Sequence, residues 1–467
     1  MNLHLTVLAF YSLALMALGL WIGRRSGAAD FFVASRRLGP GLIFSTMLAA
    51  NIGAGSTVGA TATAYRIGAA AWWWVGSAGV GCAILAFWVG PRMRQVAAEH
   101  GLRTVGDYLE FRYSRHVRGI IGALLWVGGL FILATQLIAL GWILNVVVGL
   151  PKAIGCGIGG LVVVVYFAAG GLLTSAWVNV VQLTVKMVGF AIALPLAVSW
   201  LGGWGAVRQV NAADEAYWAF WSADTVKYLA LFVPPFIVSP GLLQKIFGAR
   251  DDRAVRLGVG LNALALLAFA GVPVLLGIVA QGKLPGLVPA DLALPTIFMQ
   301  GLPAVAGALA LAAVFSAEVS AADAVLLMLT TSLSQDLYKR FVNPSASDPQ
   351  VLAVARWATI LTGVSGVALA VVSEDLVRTL TVFYALLGVS LFVPIVAGLY
   401  VPRTSNAAAL ASIAAGVTGM TIVHLASGGE GWGVLTPAPA GLVAATVAWA
   451  VVLVREAGPV AARLKPY

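Results

Sequence analysis

The sequence predicts an all-α integral membrane protein with about thirteen transmembrane helices. Of its 467 residues 60% are apolar and only 10% are charged, and the mean hydropathy is +0.95. A soluble domain cannot bury that much apolar surface, so lipid must surround most of the chain. Soluble enzymes and nucleic-acid-binding proteins are therefore excluded. The net charge of +10 is informative about orientation, through the distribution of basic residues between the two sides of the membrane.

The spans are apolar stretches of roughly 17 to 27 residues, or somewhat more, separated by polar breaks. The first of them is followed by Arg24 and Arg25 and not by a small-residue cleavage site, so we expect a retained helix and no signal peptide. The predicted spans are residues 5–23, 40–66, 70–91, 118–149, 153–169, 172–199, 225–247, 256–281, 302–335, 352–373, 379–401, 406–426 and 438–454.

Basic residues predict the orientation. With thirteen spans and the N-terminus outside, about three quarters of the 28 Lys and Arg residues face the cytoplasm, including a loop from Lys245 to Arg256. We therefore expect a multi-pass protein of the inner (plasma) membrane whose C-terminus is cytoplasmic.

Two spans carry helix-breaking residues near their centres. Residues 49–56 of the second span read Ala-Ala-Asn-Ile-Gly-Ala-Gly-Ser, and the seventh span contains Pro234 and Pro235 followed by Ser239-Pro240-Gly241. Unwound backbone is tolerated at that depth only where it lines a protein cavity. Two breaks five spans apart indicate a transporter built from two inverted five-helix halves.

Three charged side chains lie well inside apolar spans. Lys186 is the single base predicted to be buried, in span 6, and Glu318 and Asp323 lie in span 9. Such charges are functional candidates, although a structural ion pair between the two spans is an alternative. Helical spacing places Ser316, Ser320 and Asp323 on one face and Glu318 on another, so Asp323 is expected to matter more than Glu318.

Five segments together resemble the sodium:solute symporter family. They are Asp30-Phe31-Phe32 with Ser35-Arg36, residues 49–52, residues 104–112, residues 177–182, and Asp336-Leu337-Tyr338. The resemblance implies a LeuT-type 5+5 inverted-repeat core with broken first and sixth core helices. Its parts would be an extra N-terminal helix and loop (1–39), the two repeats (40–199 and 200–401), and two peripheral helices with a tail (402–467).

The resemblance also implies a sodium site. Its carbonyl ligands would be those of Ala49, Ile52 and Ala313, and its first hydroxyl that of Ser316. The position of the second hydroxyl is Ala317, which has none.

A second cation site of some family members would involve Ser320, an acid of a Trp-Thr-Asp motif, and here also the neighbouring Asp323. This sequence has Asn179 in place of that acid. The substrate would contact Asn51, Gly55 and Ser56 in the first break, Trp74 in span 3 and Ser239 in the second break.

Lys186 accompanies these losses. It lies seven residues, or two helical turns, after Asn179, near the height of Ser316 and Ala317. Its ammonium is expected to take the place of sodium.

The sequence therefore predicts a secondary transporter of a small polar solute that works by alternating access, independent of sodium and either proton-coupled or facilitative. No catalytic residue, metal site or cofactor is predicted beyond H⁺ or Na⁺ as a coupling ion. The alternatives are a conventional sodium symporter and a substrate-sensing membrane subunit that acts through a separate partner. The oligomeric state and the partner of Lys186, Glu318 or Asp323, are left open.

Overall fold

The computed structural model describes residues 3–23, 36–168 and 171–461, and no β-strand occurs among them. The motif residues Asp30, Phe31, Phe32 and Ser35 lie outside the described residues, as do the basic residues 24, 25, 463 and 465.

The α-helices are numbered here along the chain. They are α1 (Leu3–Gly23), α2 (Pro40–Asn51), α3 (Ala60–Ile67), α4 (Trp72–Ile84), α5 (Gly90–Glu99), α6 (Val105–Arg112), α7 (Arg115–Val148), α8 (Lys152–Ala168), α9 (Gly171–Leu201), α10 (Trp204–Gln209), α11 (Glu215–Trp218), α12 (Ala223–Val238), α13 (Pro240–Phe247), α14 (Asp252–Phe269), α15 (Gly271–Lys283), α16 (Ala293–Thr296), α17 (Ala304–Thr331), α18 (Asp348–Val372), α19 (Leu376–Tyr400), α20 (Asn406–Ala426) and α21 (Pro437–Ala461). Wider π-helical turns cover Gly55–Gly59, Leu85–Val89, Ile297–Gly301 and Ser332–Val342, and 3₁₀ turns cover Gly68–Ala71 and Ala290–Leu292.

The helices confirm the predicted class. Within the described part of the chain, ten helical stretches are long and apolar enough to cross a membrane. The exact number of spans, the boundaries of the repeats and the orientation stay predictions.

The first predicted break is present. Helix α2 ends at Asn51, and Ile52 adopts an extended conformation with φ −93° and ψ 90°. The chain returns to helical geometry in the π turn that begins at Gly55 and continues into α3.

The second break is shorter than predicted. Pro234 and Pro235 lie inside α12 and do not interrupt it, so the prediction of a break at these prolines was wrong. A proline removes only its own N–H from the helix, and packed neighbours tolerate the freed carbonyl inside a membrane protein. The helix ends instead at Val238, and Ser239 after it has φ −52° and ψ 122°, because a residue that precedes a proline disfavours helical geometry.

The first break is packed against α7 and α17 at Gly53. A Cβ atom there would overlap the Cβ of Ala321 and would lie 2.8 Å from Gln136 Oε1. The same Oε1 accepts a hydrogen bond of 2.8 Å from the N–H of Ala54. Only glycine at position 53 permits this close approach of three helices.

A charged cluster ties one end of the bundle together. The guanidinium of Arg118 lies 2.8 Å from Asp107, 3.0 Å from Glu110 and 2.8 Å from Asp336. The cluster joins α6, α7 and the π-helical continuation of α17, so two of the segments that carry the family resemblance meet in space.

Asp291 connects the loop after α15 to α19. Its Oδ2 accepts a hydrogen bond of 3.4 Å from the N–H of Leu376, the first residue of α19. Burial, together with the neighbouring Asp375, raises the pKa of the Asp291 carboxyl from its ordinary 3.8 to about 6.

We predict that Gly53→Ala destabilises the protein, since the new methyl group must displace Ala321 or Gln136. The expected loss in free energy of unfolding is about 1–3 kcal/mol, measured as a lower melting temperature of the purified protein. The matched control is Gly157→Ala on α8, where a Cβ meets nothing within 4 Å. Equal melting temperatures for the two variants would contradict the packing.

Asp291→Asn should stabilise the protein at neutral pH. Because the folded-state pKa of about 6 lies above the ordinary 3.8, ionisation of this carboxyl destabilises the folded state as the pH rises through that interval. The melting temperature of the variant should exceed that of the wild type at pH 8, and the difference should vanish near pH 4. Glu430→Gln, at an exposed loop position, is the control and should show no such trend; a difference independent of pH would refute this origin.

Candidate functional site

A cavity of about 90 Å³ lies between the two broken helices. All five residues predicted to contact substrate line it, from α2, from the π turn, from α4 and from the α12–α13 break. These residues are Asn51, Gly55, Ser56, Trp74 and Ser239. The structure thus brings the five together, and their contact with a solute stays a prediction.

Aromatic rings form much of the wall. Trp74 packs edge-on against Phe232, with ring centroids 4.8 Å apart, and against Tyr228 at 5.4 Å. Its indole N–H donates to the carbonyl of Gly55 at 2.7 Å. Trp74 therefore connects α4 and α12 to the π turn that follows the break.

Polar side chains satisfy the unwound backbone of the first break. Ser56 Oγ donates to the carbonyl of Asn51 at 2.8 Å and accepts from the N–H of Gly53 at 3.0 Å. The Asn51 amide donates to Asn262 Oδ1 on α14 at 3.2 Å. Ser56 and Asn51 therefore shape the break as well as line the cavity.

Lys186 reaches the same break from α9. Its Nζ donates to the carbonyl of Ala49 at 2.7 Å, to the carbonyl of Ile52 at 3.2 Å and to Ser320 Oγ at 2.6 Å. An ammonium has three N–H donors, and here each has an acceptor. The side chain is fully buried, and two of its partners are carbonyls that the family resemblance assigns to sodium.

The remaining residues of the predicted sodium site lie against other groups. Ser316 Oγ accepts from the hydroxyl of Tyr11 at 2.7 Å and donates to the carbonyl of Gln182 at 3.1 Å. Ala313 packs against Gly189 of α9. Ala317 is fully buried, and its carbonyl accepts from Ser320 at 3.0 Å. The hydroxyl that contacts Lys186 is therefore Ser320 and not Ser316.

Glu318 lies on the side of α17 that faces the broken helix. Its Oε1 is 2.9 Å from Thr57 Oγ1, and that hydroxyl is also 2.9 Å from the carbonyl of Gly53. The Thr57 hydroxyl carries one proton, for which the Glu318 carboxyl and the Gly53 carbonyl are competing acceptors. Glu318 also interacts electrostatically with Lys186.

A second lysine is buried near the cavity. The sequence predicts Lys245 in a cytoplasmic loop, but the residue belongs to α13, lines the cavity and is 1% exposed. The expectation that Lys186 is the single buried base was therefore wrong. Helix α13 begins directly after Ser239, so Lys245 lies in a helix that borders the cavity and not in a loop.

Two residues of the predicted second cation site contact other groups. Asp323 interacts electrostatically with Lys245, and Asn179 donates to Thr46 Oγ1 at 3.1 Å.

Sequence reasoning missed several of these residues. Tyr11 lies in the mostly apolar α1, where no local pattern marks its contact with α17. Gln136 in α7 and Thr57 in the π turn are uncharged polar residues in largely apolar surroundings, and such residues are too frequent to stand out. Lys245 offered a signal, because it sits among apolar residues only five positions after Pro240.

Comparison with known proteins decides the family. The pattern of the sodium:solute symporter family matches residues 31–416, which is most of the chain. The chain belongs to the sodium:solute symporter family. Members of this family are membrane transporters, and the chain is accordingly a multi-span secondary transporter and not an enzyme.

Two curated family members have similar sequences. The sodium/glucose cotransporter of Vibrio parahaemolyticus is 24% identical over 405 residues, which are 77% of this chain and 73% of that protein. The high-affinity proline transporter PutP of Bacillus subtilis is 24% identical over 423 residues, which are 87% of this chain and 88% of that protein.

A solved structure has a similar fold. The outward-open, substrate-bound state of a Na⁺-coupled sialic acid symporter matches with a TM-score of 0.81 and 19% sequence identity, and the match covers 97% of each chain. At this identity the likeness establishes the fold alone, and it confirms the predicted LeuT-type core.

We predict that Lys186→Met destabilises the protein by about 3 kcal/mol, because two buried carbonyls lose their donor and Glu318 loses its counter-charge. The measurement is thermal unfolding of the purified protein. Lys227→Met is the control, because Lys227 forms a partly exposed ion pair with Asp224 and such pairs contribute little. A similar, small effect of both substitutions would argue against the three buried hydrogen bonds.

Proposed function

We propose that this transporter moves a small polar solute by alternating access without sodium, and that Lys186 carries the coupling proton. The observation that supports this most directly is the contact of the Lys186 ammonium with the carbonyls of Ala49 and Ile52. A hard cation such as sodium seeks the same oxygen atoms.

A sodium ion and a charged Lys186 should exclude each other at this position. Two unit charges about 4 Å apart repel by about 4 kcal/mol at an effective dielectric constant of about 20. That repulsion weakens binding roughly a thousandfold. The lack of a hydroxyl at Ala317 removes one further ligand.

The proton cycle follows from the hydrogen bonds of the ammonium. Protonated Lys186 holds the α2 break against α9 and α17 through three acceptors. A neutral amine has one N–H fewer and no charge to offer the two carbonyls. Loss of the proton therefore loosens the contact between these helices, and Glu318, which interacts with Lys186, is the proposed neighbouring proton acceptor.

A conventional sodium symporter is the second candidate. It is favoured by the similarity to the sodium/glucose cotransporter of Vibrio parahaemolyticus and to a Na⁺-coupled sialic acid symporter. The two candidates differ in whether sodium binds to the protein and drives uptake.

We expect sodium to leave the melting temperature of the wild type unchanged relative to choline at equal ionic strength. In the double variant Lys186→Ala with Ala317→Ser, the vacated carbonyls and the restored hydroxyl should bind sodium, and sodium should then raise the melting temperature. Ala317→Ser alone is the control and should stay insensitive, because Lys186 remains in place.

Transport measurements complete this test. Once a solute is identified by thermal-shift screening, its uptake into proteoliposomes should persist in choline and increase with an imposed inward proton gradient. Lys186→Ala should lose the response to the gradient. Strict, saturable sodium dependence of wild-type uptake would establish the second candidate instead.

A further inference from the structure

The cavity between the broken helices contains one charged lining residue in the described part of the chain, Lys245. The side chain is 1% exposed. Its Nζ lies 3.4 Å from the carbonyl of Gly241, at the start of α13 and on the cavity wall. The lysine thus folds back toward the helix N-terminus and places its charge beside the cavity.

The rest of the lining is neutral. Asn51, Ser56 and Ser239 contribute amide and hydroxyl groups, and no acidic side chain lines the cavity within the described residues. Other lining residues are aromatic and aliphatic, among them Phe236 and Tyr384, whose rings stack with centroids 5.4 Å apart. A solute that fits these walls has one charged end and one apolar end.

We propose that the transported solute is a small carboxylate with an apolar body, and that Lys245 binds its carboxylate group. The inference rests on the transporter function proposed above and gives its substrate class. A cationic solute would meet a like charge without a lining acid to balance it. A neutral solute would offer the buried ammonium no opposite charge.

The geometry leaves room for a carboxylate beside this lysine. A Cβ atom at Gly241, on the cavity wall, would make ordinary contacts with Ser239 Oγ at 3.9 Å and the Ala324 carbonyl at 4.0 Å, so no side chain fills the position beside the start of α13. The N-terminal end of a helix also favours negative charge. A buried carboxylate needs such a partner, because an unpaired one is strongly disfavoured.

Binding of a carboxylate would also act on α17. Lys245 interacts electrostatically with Asp323 of that helix, and a solute carboxylate competes with Asp323 for the ammonium. Occupation of the cavity would then weaken the attraction between α13 and α17. Carriage of one proton on Lys186 together with one carboxylate makes the proposed transport cycle electroneutral.

The test is equilibrium binding to the full-length protein in nanodiscs. The probes are propionate, butyrate and benzoate, each compared with its neutral amide, and propylammonium as the cation. We expect the carboxylates to bind at least about tenfold more tightly than their amides, and propylammonium not to bind.

Variants assign the effect to Lys245. Lys245→Arg should retain carboxylate affinity within about threefold, and Lys245→Met should lose roughly tenfold or more. The double variant Lys245→Met with Asp323→Asn removes both charges, so it avoids an uncompensated buried acid and should show the same loss. Lys339→Met, on a partly exposed lysine elsewhere, is the control for the substitution itself.

Three results would overturn the inference: tighter binding of the amides or of propylammonium, wild-type carboxylate affinity in the double variant, or no binding of any carboxylate. All titrations are run in both sodium and choline buffers. A sodium requirement for carboxylate binding would contradict the proposed coupling, while the preference for carboxylates would still support this inference.

Discussion

An unwound helix inside hydrocarbon must find hydrogen-bond partners within the protein, and the break between α2 and α3 depends on this constraint. The carbonyls of Ala49 and Ile52 receive the ammonium of Lys186, and the N–H of Ala54 donates to Gln136. Helices α7, α9 and α17 therefore all contact the short segment between α2 and α3. Residues of this segment also line the cavity. Any movement that opens the cavity must exchange or preserve these contacts.

The extra helix α1 belongs to this arrangement. Its Tyr11 donates to Ser316 of α17, and Ser316 donates to the carbonyl of Gln182 on α9. The Ser316 hydroxyl is thus engaged with a tyrosine of α1. Helices α9 and α17 are connected at this level by neutral hydrogen bonds and, one turn along α17 at Ser320, by the ammonium of Lys186.

Two lysines and two acids are distributed over the core in pairs. Lys186 interacts with Glu318 and Lys245 with Asp323, so each acid on α17 has a base on a different helix. One pair lies at the first break and the other beside the second. Both breaks in the helices therefore lie close to buried charged side chains of α17.

Composition and the spacing of apolar residues determined the membrane class, the helical stretches and the first break, because each follows from the local cost of burying polar groups in lipid. Five of the residues that line the cavity, among them Gly55, Ser56 and Ser239, were predicted from the family resemblance. Only the tertiary structure decided which side chains meet. The partner of Lys186 depends on the rotation of α17, the inward position of Lys245 depends on where α13 begins, and the contact of Tyr11 depends on how α1 packs. These contacts join residues that are far apart in the chain, so local sequence does not specify them; only the burial of Lys245 has a local signal, in the apolar residues around it.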